Sequence, residues 1–446
     1  MRTLAIPQAK TPDFFVAPGL TQRTLPPINS VAAWGTCLLI FFVCTYFETH
    51  SLAGVKYAII WRALVFLPAI IFIVRNPLPV GTYALKPLFW AYLFFALGPV
   101  WGIGLGISDA GYSANLAANR MFVPIALIGL VLATRRYDIA DLLVRVFPLF
   151  LCLVSIPLLA GWLPPVGLQW SLAAVSGLDL TAYNSVFQNQ HSASLAHAIA
   201  GICAFTLVAR FPGRRSIPYL LMALGCFGLC VLTTARSGLL GLMVGLVVVA
   251  FFRRKLRLLA APAAFVVAGL LVTAMVKPEM VDMIQNRMTG QTLYTKGPSA
   301  DTLTSGRLTL QTSALKGWSQ SEPLQLLFGV SRAGTRDNNE RLTGSHLIAH
   351  SAFVDELSAF GIVGFCSLLA TLAAAYRLAW RNARLGHPAG LACLIALCLY
   401  GMLQSMDYSF QNLIIGMVLV LETRATMTLQ RSGTGQPTSP QPPEAV

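Results

Sequence analysis

The chain has 446 residues, of which 11% are charged and 56% are hydrophobic, and its mean hydropathy is +0.67. A soluble globular domain carries about 25% charged residues, so this balance excludes a soluble enzyme, a disordered protein and a secreted disulfide scaffold. The net charge of +15 raises the question of a nucleic-acid partner, which the placement of the basic residues answers.

Residues 1–30 hold five prolines and form a cytoplasmic N-terminal segment; the apolar run after them reads as a retained span, not a cleaved signal peptide. Twelve apolar runs follow, at roughly 31–47, 57–74, 87–107, 120–134, 142–162, 192–210, 217–233, 237–252, 258–276, 350–376, 389–403 and 408–422. Each must be helical, because hydrocarbon gives the backbone no other hydrogen-bond partner. The expected fold is an all-α polytopic membrane protein with about twelve transmembrane helices. Helices 1–9 occupy 31–276, a long loop fills 277–349, helices 10–12 occupy 350–422, and 423–446 is a disordered cytoplasmic tail. The nine cysteines all fall in apolar runs, where they act as small hydrophobes.

One set of alternate connections and both termini together hold 19 Lys or Arg residues, including Arg210, Arg253, Arg254, Lys255 and Arg257. The other short connections hold only Lys56, Arg120 and Arg236. The positive-inside rule therefore puts both termini in the cytoplasm and the 277–349 loop outside. The basic balance records membrane orientation, and no nucleic-acid partner is expected. The outward loop is too long for a plain connection, and such length usually accompanies function. Within it, Ser305-Gly306-Arg307 precedes a short surface helix carrying Leu308, Leu315 and Trp318.

Polar groups at membrane depth are functional candidates, since burying them unpaired costs several kcal/mol, of order 2–7. Arg236 stands in the outward turn Thr233-Thr234-Ala235-Arg236-Ser237-Gly238; it is either a snorkelling interfacial arginine or an anion clamp. Arg120 opens the fourth span from the same side, with the same two readings. Arg62 lies inside the second span and Arg145 near the cytoplasmic end of the fifth, the latter a structural residue. Phe187-Gln188-Asn189-Gln190-His191 opens the sixth span, and its amides and imidazole suit either sugar hydroxyls or a helix cap. Trp162, Trp170, Tyr183 and Phe187 fit an interfacial aromatic belt.

At the entry to the tenth span, His346 and His350 are four apart and would share a helical face. A zinc pair is disfavoured, for the sequence shows neither an H-E-x-x-H glutamate nor a third ligand. The remaining readings are a packed amphipathic residue at the interface and a general base, the latter because imidazole titrates near neutrality. Gly361 and Gly364 follow His350 by 11 and 14 residues and read as a close helix–helix contact.

Together these residues resemble the O-antigen ligase and polymerase superfamily of bacterial envelope glycosyltransferases. The ligase pattern is a His, then Asn, Ser or Gln, nine residues, and Gly-x-x-Gly; His350, Ser351, Gly361 and Gly364 fill it. The Thr-Ala-Arg-Ser-Gly turn at Arg236 resembles the family's arginine motif, as does Ser305-Gly306-Arg307 with Leu327-Phe328-Gly329-Val330. Ser331 departs from the pattern, in which many relatives have Gly. The motifs cover about residues 180–370.

The resemblance implies a GT-C-like, cofactor-free enzyme of the bacterial inner membrane with a periplasmic active site. Its donor would be a glycan on undecaprenyl pyrophosphate, and its acceptor lipid A core or another surface glycan, amid membrane lipids. His350 and Arg236 would be catalytic, and Arg307, Arg120, His346, Asn189 and His191 would bind substrate. No Asp-x-Asp pair stands in the outward loops, so metal-independent, inverting transfer is expected. A repeat-unit polymerase of the same superfamily is the alternative. A transporter or flippase fits less well, since transporters tend to show internal repeats and midplane sites.

Overall fold

In the computed structural model the long apolar runs among the described residues are helical, as the absence of other backbone partners in hydrocarbon demands. The structure describes residues 86–104, 110–133, 139–162, 184–187, 189–233, 235–276, 306–406, 411–412 and 414–422, together with scattered positions before 86. Those early positions include a two-residue antiparallel pairing of β1 (Ser51–Leu52) with β2 (Val55–Lys56). The expected spans 31–47 and 57–74 lie almost wholly outside the described residues, as do Arg62, the N-terminal segment, residues 277–305 and the tail from 423.

The helices are α1 (Lys86–Gly104), α2 (Ala110–Ala133), α3 (Ile139–Leu159), α4 (Gln190–Arg210), α5 (Ile217–Leu232), α6 (Arg236–Phe252) and α7 (Ala260–Val276). After them come α8 (Arg307–Ser319), α9 (Pro323–Phe328), α10 (Ser331–Thr343), α11 (Ala352–Arg384) and α12 (Ala389–Leu403); helical backbone returns at 411–412 and 414–422. Asp141–Leu159, Gln190–Arg210, Gly213–Leu232 and Ala352–Arg384 are each long and apolar enough to cross a membrane. α6 and α12 are shorter but as apolar. The chain is a multi-pass helical membrane protein.

Two differences from the sequence reading concern boundaries. α2 begins ten residues before Arg120, so that arginine lies inside a helix, not at its mouth. The expected 277–349 loop contains three helices, α8 to α10, which pack on one another and on the start of α11.

α4 is the centre of the bundle, and Ser192 through Ala209 are all buried. Its alanines, serines and Gly201 let α3, α5, α6 and α12 approach closely. α6 answers with Gly238, Gly241 and Gly245. A Cβ on Gly238 would stand 1.8 Å from Ser194 Oγ, and one on Gly245 would stand 2.3 Å from Ile202 Cδ1. Gly241 instead faces Ala396 of α12, with a Cβ placed 3.2 Å from its Cβ. Two faces of one helix are thus fixed by three glycines.

α11 runs 33 residues but is broken at Gly361 (φ 68°, ψ −168°). The break interrupts the helical run between His350 and Gly364. Gly364 packs against Gly98 of α1, a close approach of two helices. At Gly361 the backbone of Leu327–Gly329 fills the space of a side chain, 2.3 Å from where a Cβ would sit.

Candidate active site

Three helix starts, α4, α6 and α11, lie at the same end of the bundle as the α8–α10 layer. Asn189 caps α4, its side-chain oxygen accepting from Ser192 N at 2.8 Å. The helix-cap reading of the Gln-Asn-Gln-His segment thus holds for Asn189. His191 follows in the first turn. Ser194 Oγ donates to Ala235 O at 3.1 Å, and Gly238 lies against Ser194, so the Arg236-Ser237-Gly238 turn is pinned to α4 and Arg236 opens α6 at its rim.

Arg307 comes from the opposite side. Gly306, left-handed at φ 78°, turns the chain into α8, and the Arg307 side chain reaches back into the bundle. Its Nη1 donates to Leu403 O at 2.9 Å, and its Nη2 lies 3.4 Å from His191 Nε2. Burial pulls this guanidinium down to about 10; the charge of Arg236 acts in the same direction and Tyr400 opposes both. At neutral pH both arginines remain cationic, so α8 and α6 hold two like charges near each other with His191 between α4 and Arg307.

The end of α12 joins this cluster to His350. Leu403 accepts from Arg307, and the next residue, Gln404, accepts from Ala352 N at 3.0 Å. Ser405 Oγ donates to Asp355 Oδ2. Asp355, fully buried, also accepts from Ala349 N at 2.9 Å and pairs with Arg332 Nη1 at 3.1 Å. One carboxylate therefore ties α10, α12 and the backbone just before His350. His350 itself is half-buried and left-handed (φ 54°), a conformation costing a non-glycine residue on the order of 1 kcal/mol and held only where its surroundings fix it.

The segment 344–351 is not helical. His346 and His350 consequently do not share a helical face, contrary to the expectation from their spacing. Asn339, whose Oδ1 accepts from Ser313 Oγ at 2.6 Å, donates through Nδ2 to Leu347 O at 2.8 Å and keeps this segment extended along α10. His346 faces outward, with Nδ1 2.8 Å from Glu340 Oε2 and 3.8 Å from Asp337 Oδ1. These three exposed residues bring ligand atoms within 4.8 Å of one another and could hold a cation; two of the ligands come from α10, and His350 is not among the three.

Arg120 is placed differently from the other candidates. It is 2% exposed and forks onto Glu356, Nη1 to Oε1 at 2.9 Å and Nη2 to Oε2 at 2.6 Å. Nη1 also donates to Phe95 O at 3.1 Å, and the Tyr92 hydroxyl donates to Arg120 O. Phe360 lies between Arg120 and Arg332, its ring centroid 5.3 and 5.6 Å from the two guanidinium carbons. A cavity of about 40 Å³ is lined by these arginines, Glu356 and apolar side chains that include Leu372, Leu397 and Val418. The structure thus gathers Arg236, Arg307 and His191, links them to the His350 turn, and sets Arg120 beneath as a buried ion pair.

Asp355, Glu356 and Arg332 went unremarked in the sequence. Two adjacent acids five and six residues after His350, inside an apolar run, are an intramembrane-charge signal that could have found the first two. Arg332 looked like one more polar residue of a long loop.

Residues 219–369 match the family model described as O-antigen ligase. The matched stretch contains Arg236, Arg307, His346, His350 and both carboxylates, while Arg120, Asn189 and His191 precede it. A search of curated proteins finds no match to the chain. The match, which takes in the Arg236 turn, the α8–α10 layer and the first part of the broken helix after His350, supports membership of the O-antigen ligase and polymerase superfamily.

Proposed function

We propose that the chain is a glycosyltransferase of the O-antigen ligase type, moving a glycan from a polyprenyl pyrophosphate donor onto an acceptor hydroxyl. The observation that supports it best is the convergence of Arg307 and Arg236 beside His191, joined through Leu403–Ser405 to the His350 turn. In this reading the donor pyrophosphate sits between the two arginines. His350 takes the proton of the acceptor hydroxyl as its oxygen attacks the anomeric carbon. The bond from that carbon to the phosphate oxygen breaks, and the electron pair leaves with the pyrophosphate. Charge thus builds on the leaving group, where two fixed cations stabilise it most. Arginine suits the role because its planar fork matches phosphate oxygens and never deprotonates near neutrality. Backside attack by one acceptor inverts the anomeric centre.

The acceptor side separates ligase from polymerase. Deleting the gene and resolving the surface polysaccharide on a gel tests the reading. Free polymer without lipid A attachment fits a ligase, capping by single repeat units fits a polymerase, and an unchanged pattern overturns both. The proposed orientation has both termini in the cytoplasm and the catalytic face in the periplasm. Reporter fusions at Gly213 and Gly297 should then report opposite sides, and same-side signals would remove the periplasmic site.

A further inference from the structure

At the other end of the bundle lies a second polar cluster that transfer chemistry does not use. α4 ends there at Arg210, α6 ends at Phe252 with Arg253 as its cap, and the turn between α11 and α12 carries His387. Asp141 is already engaged by Arg145 at 2.8 Å and by Arg210 at 2.5 Å. Glu422 is held by Asn382 Nδ2 at 2.6 Å, and Lys255 Nζ donates to Ala209 O at 2.7 Å. Arg253 Nε and His387 Nε2 are both buried and have no hydrogen-bond partner among the described residues. His387 is pulled down to about 4, first by burial and then by Arg253 and Arg210. The fold therefore turns two guanidinium groups and an imidazole toward one another, with the nearby acids taken.

Ordinary interfacial basic residues need only water, and exposed Arg257 fits that description. Buried nitrogens with no hydrogen-bond partner among the described residues are different, since leaving such a group unmet is costly unless something supplies a partner. Aromatic side chains fix the depth of the cluster. Phe211 stacks on Tyr219 at 5.4 Å with Arg145 and Arg210 over its ring, and Trp380 meets Phe252 at 5.4 Å and Tyr376 at 5.9 Å. Trp380 and Tyr376 are 43% and 47% exposed. Such amphipathic rings collect at the headgroup level of a bilayer, where the available anion is a lipid phosphate.

We propose that this end binds the phosphate of an anionic phospholipid, with Arg253 and His387 as its direct donors, Arg210 as a flanking cation, and Phe252 and Trp380 against the acyl chains. Basic pockets between transmembrane helices recognise headgroups in this way. The site is separate from the proposed active site and stands whether or not glycan transfer is confirmed.

The test uses the purified full-length protein in micelles doped with phosphatidylglycerol, phosphatidylcholine or inorganic phosphate, read by thermal melting and by lipid retained in native mass spectrometry. Phosphatidylglycerol should raise the melting temperature and remain bound, and phosphatidylcholine should do neither. Arg253→Gln should cut the preference for the anionic lipid about fivefold, the worth of one cation at such a surface. Exposed Arg257→Gln should leave it intact. Equal preference in wild type and Arg253→Gln, or an equal loss in Arg257→Gln, would overturn the site in favour of a diffuse basic face. Equal protection by inorganic phosphate would overturn the lipid assignment. Should Arg253→Gln fail to fold, His387→Leu, which removes the imidazole contact, should retain less phosphatidylglycerol than the wild type, and equal retention would overturn the site.

Discussion

Arg120 and Glu356 meet as a two-pronged ion pair, at 2.9 and 2.6 Å, with both side chains 2% exposed. The pair joins α2 to α11 one residue after Asp355, which anchors the His350 turn. Removing one member of a buried pair strands a charge and costs about 3–5 kcal/mol, whereas replacing both with apolar groups of similar size can be neutral. Glu356→Ala should therefore lower the melting temperature sharply, and Arg120→Met with Glu356→Met should recover most of the loss. A Glu356→Ala protein that melts like wild type would mean the pair holds nothing together. Because both terminal nitrogens of Arg120 face Glu356, the double variant should also keep donor affinity, and a loss there would return Arg120 to substrate binding.

Gly361 offers a different test of the same region. Its φ of 68° and ψ of −168° belong to a region that is essentially glycine-only, and a Cβ would stand 2.3 Å from the Leu327 carbonyl. Backbone cannot retreat as a side-chain tip can. Gly361→Ala should thus lose several kcal/mol, on the order of 3 or more, from strain and clash together. Gly344, also left-handed at φ 73° but facing open space, should lose only about 1–2 kcal/mol as alanine. Thermal melting of the two variants side by side checks this; equal losses would show that the Leu327–Gly329 contact adds nothing.

Hydropathy made the described apolar helices and their order legible because the signal is local. The 3.6-residue period also foretold α8, though its buried face is Leu310, Ser313, Ala314 and Gly317 and not the one with Leu308. Spacing misled at His346 and His350, where Asn339 donating to Leu347 O and Ala349 N donating to Asp355 hold an extended segment that periodicity could not foresee. It misled again at Gly361, read as a helix contact when the glycine serves a break. Partner choice was least legible. Nothing in the sequence tells that Arg120 finds Glu356, 236 residues away, or that Asp355 collects Arg332 and Ser405.

The outward-facing trio of His346, Glu340 and Asp337 raises metal dependence as a measurable question. The proposed reaction draws its positive charge from arginines, so transfer by the purified enzyme should survive EDTA. His346→Ala should cost little, under about tenfold in rate, well short of the 10²–10⁴ typical of a lost general base. Abolition of activity by chelator, with recovery on adding a divalent ion, would make the trio part of the machinery.

Arg307 and His350 should fail in different ways, and that difference tests the proposed roles. Arg307→Ala removes a charge-assisted contact of about 1.5–3 kcal/mol, so donor affinity should fall roughly ten- to a hundredfold. His350→Ala should lose on the order of 10²–10⁴ in turnover while donor affinity stays near normal. Arg236→Ala should weaken donor binding and slow turnover together, and Arg236→Lys should rescue poorly because a point charge cannot replace the fork. The pH dependence follows from Arg307, brought down to about 10 by burial, with Arg236 adding and Tyr400 opposing. Its cationic form is the one that binds an anion, so it is fully present at neutral pH and is lost as pH rises through about 10. Donor affinity measured by filter binding should be flat from pH 7 to about 9, then fall in the wild type, with a much smaller fall in Arg307→Ala. An Arg307→Ala protein with unchanged affinity, or one whose alkaline fall matches the wild type, would take the pyrophosphate away from this residue. A His350→Ala enzyme with near-normal turnover would end its assignment as the base.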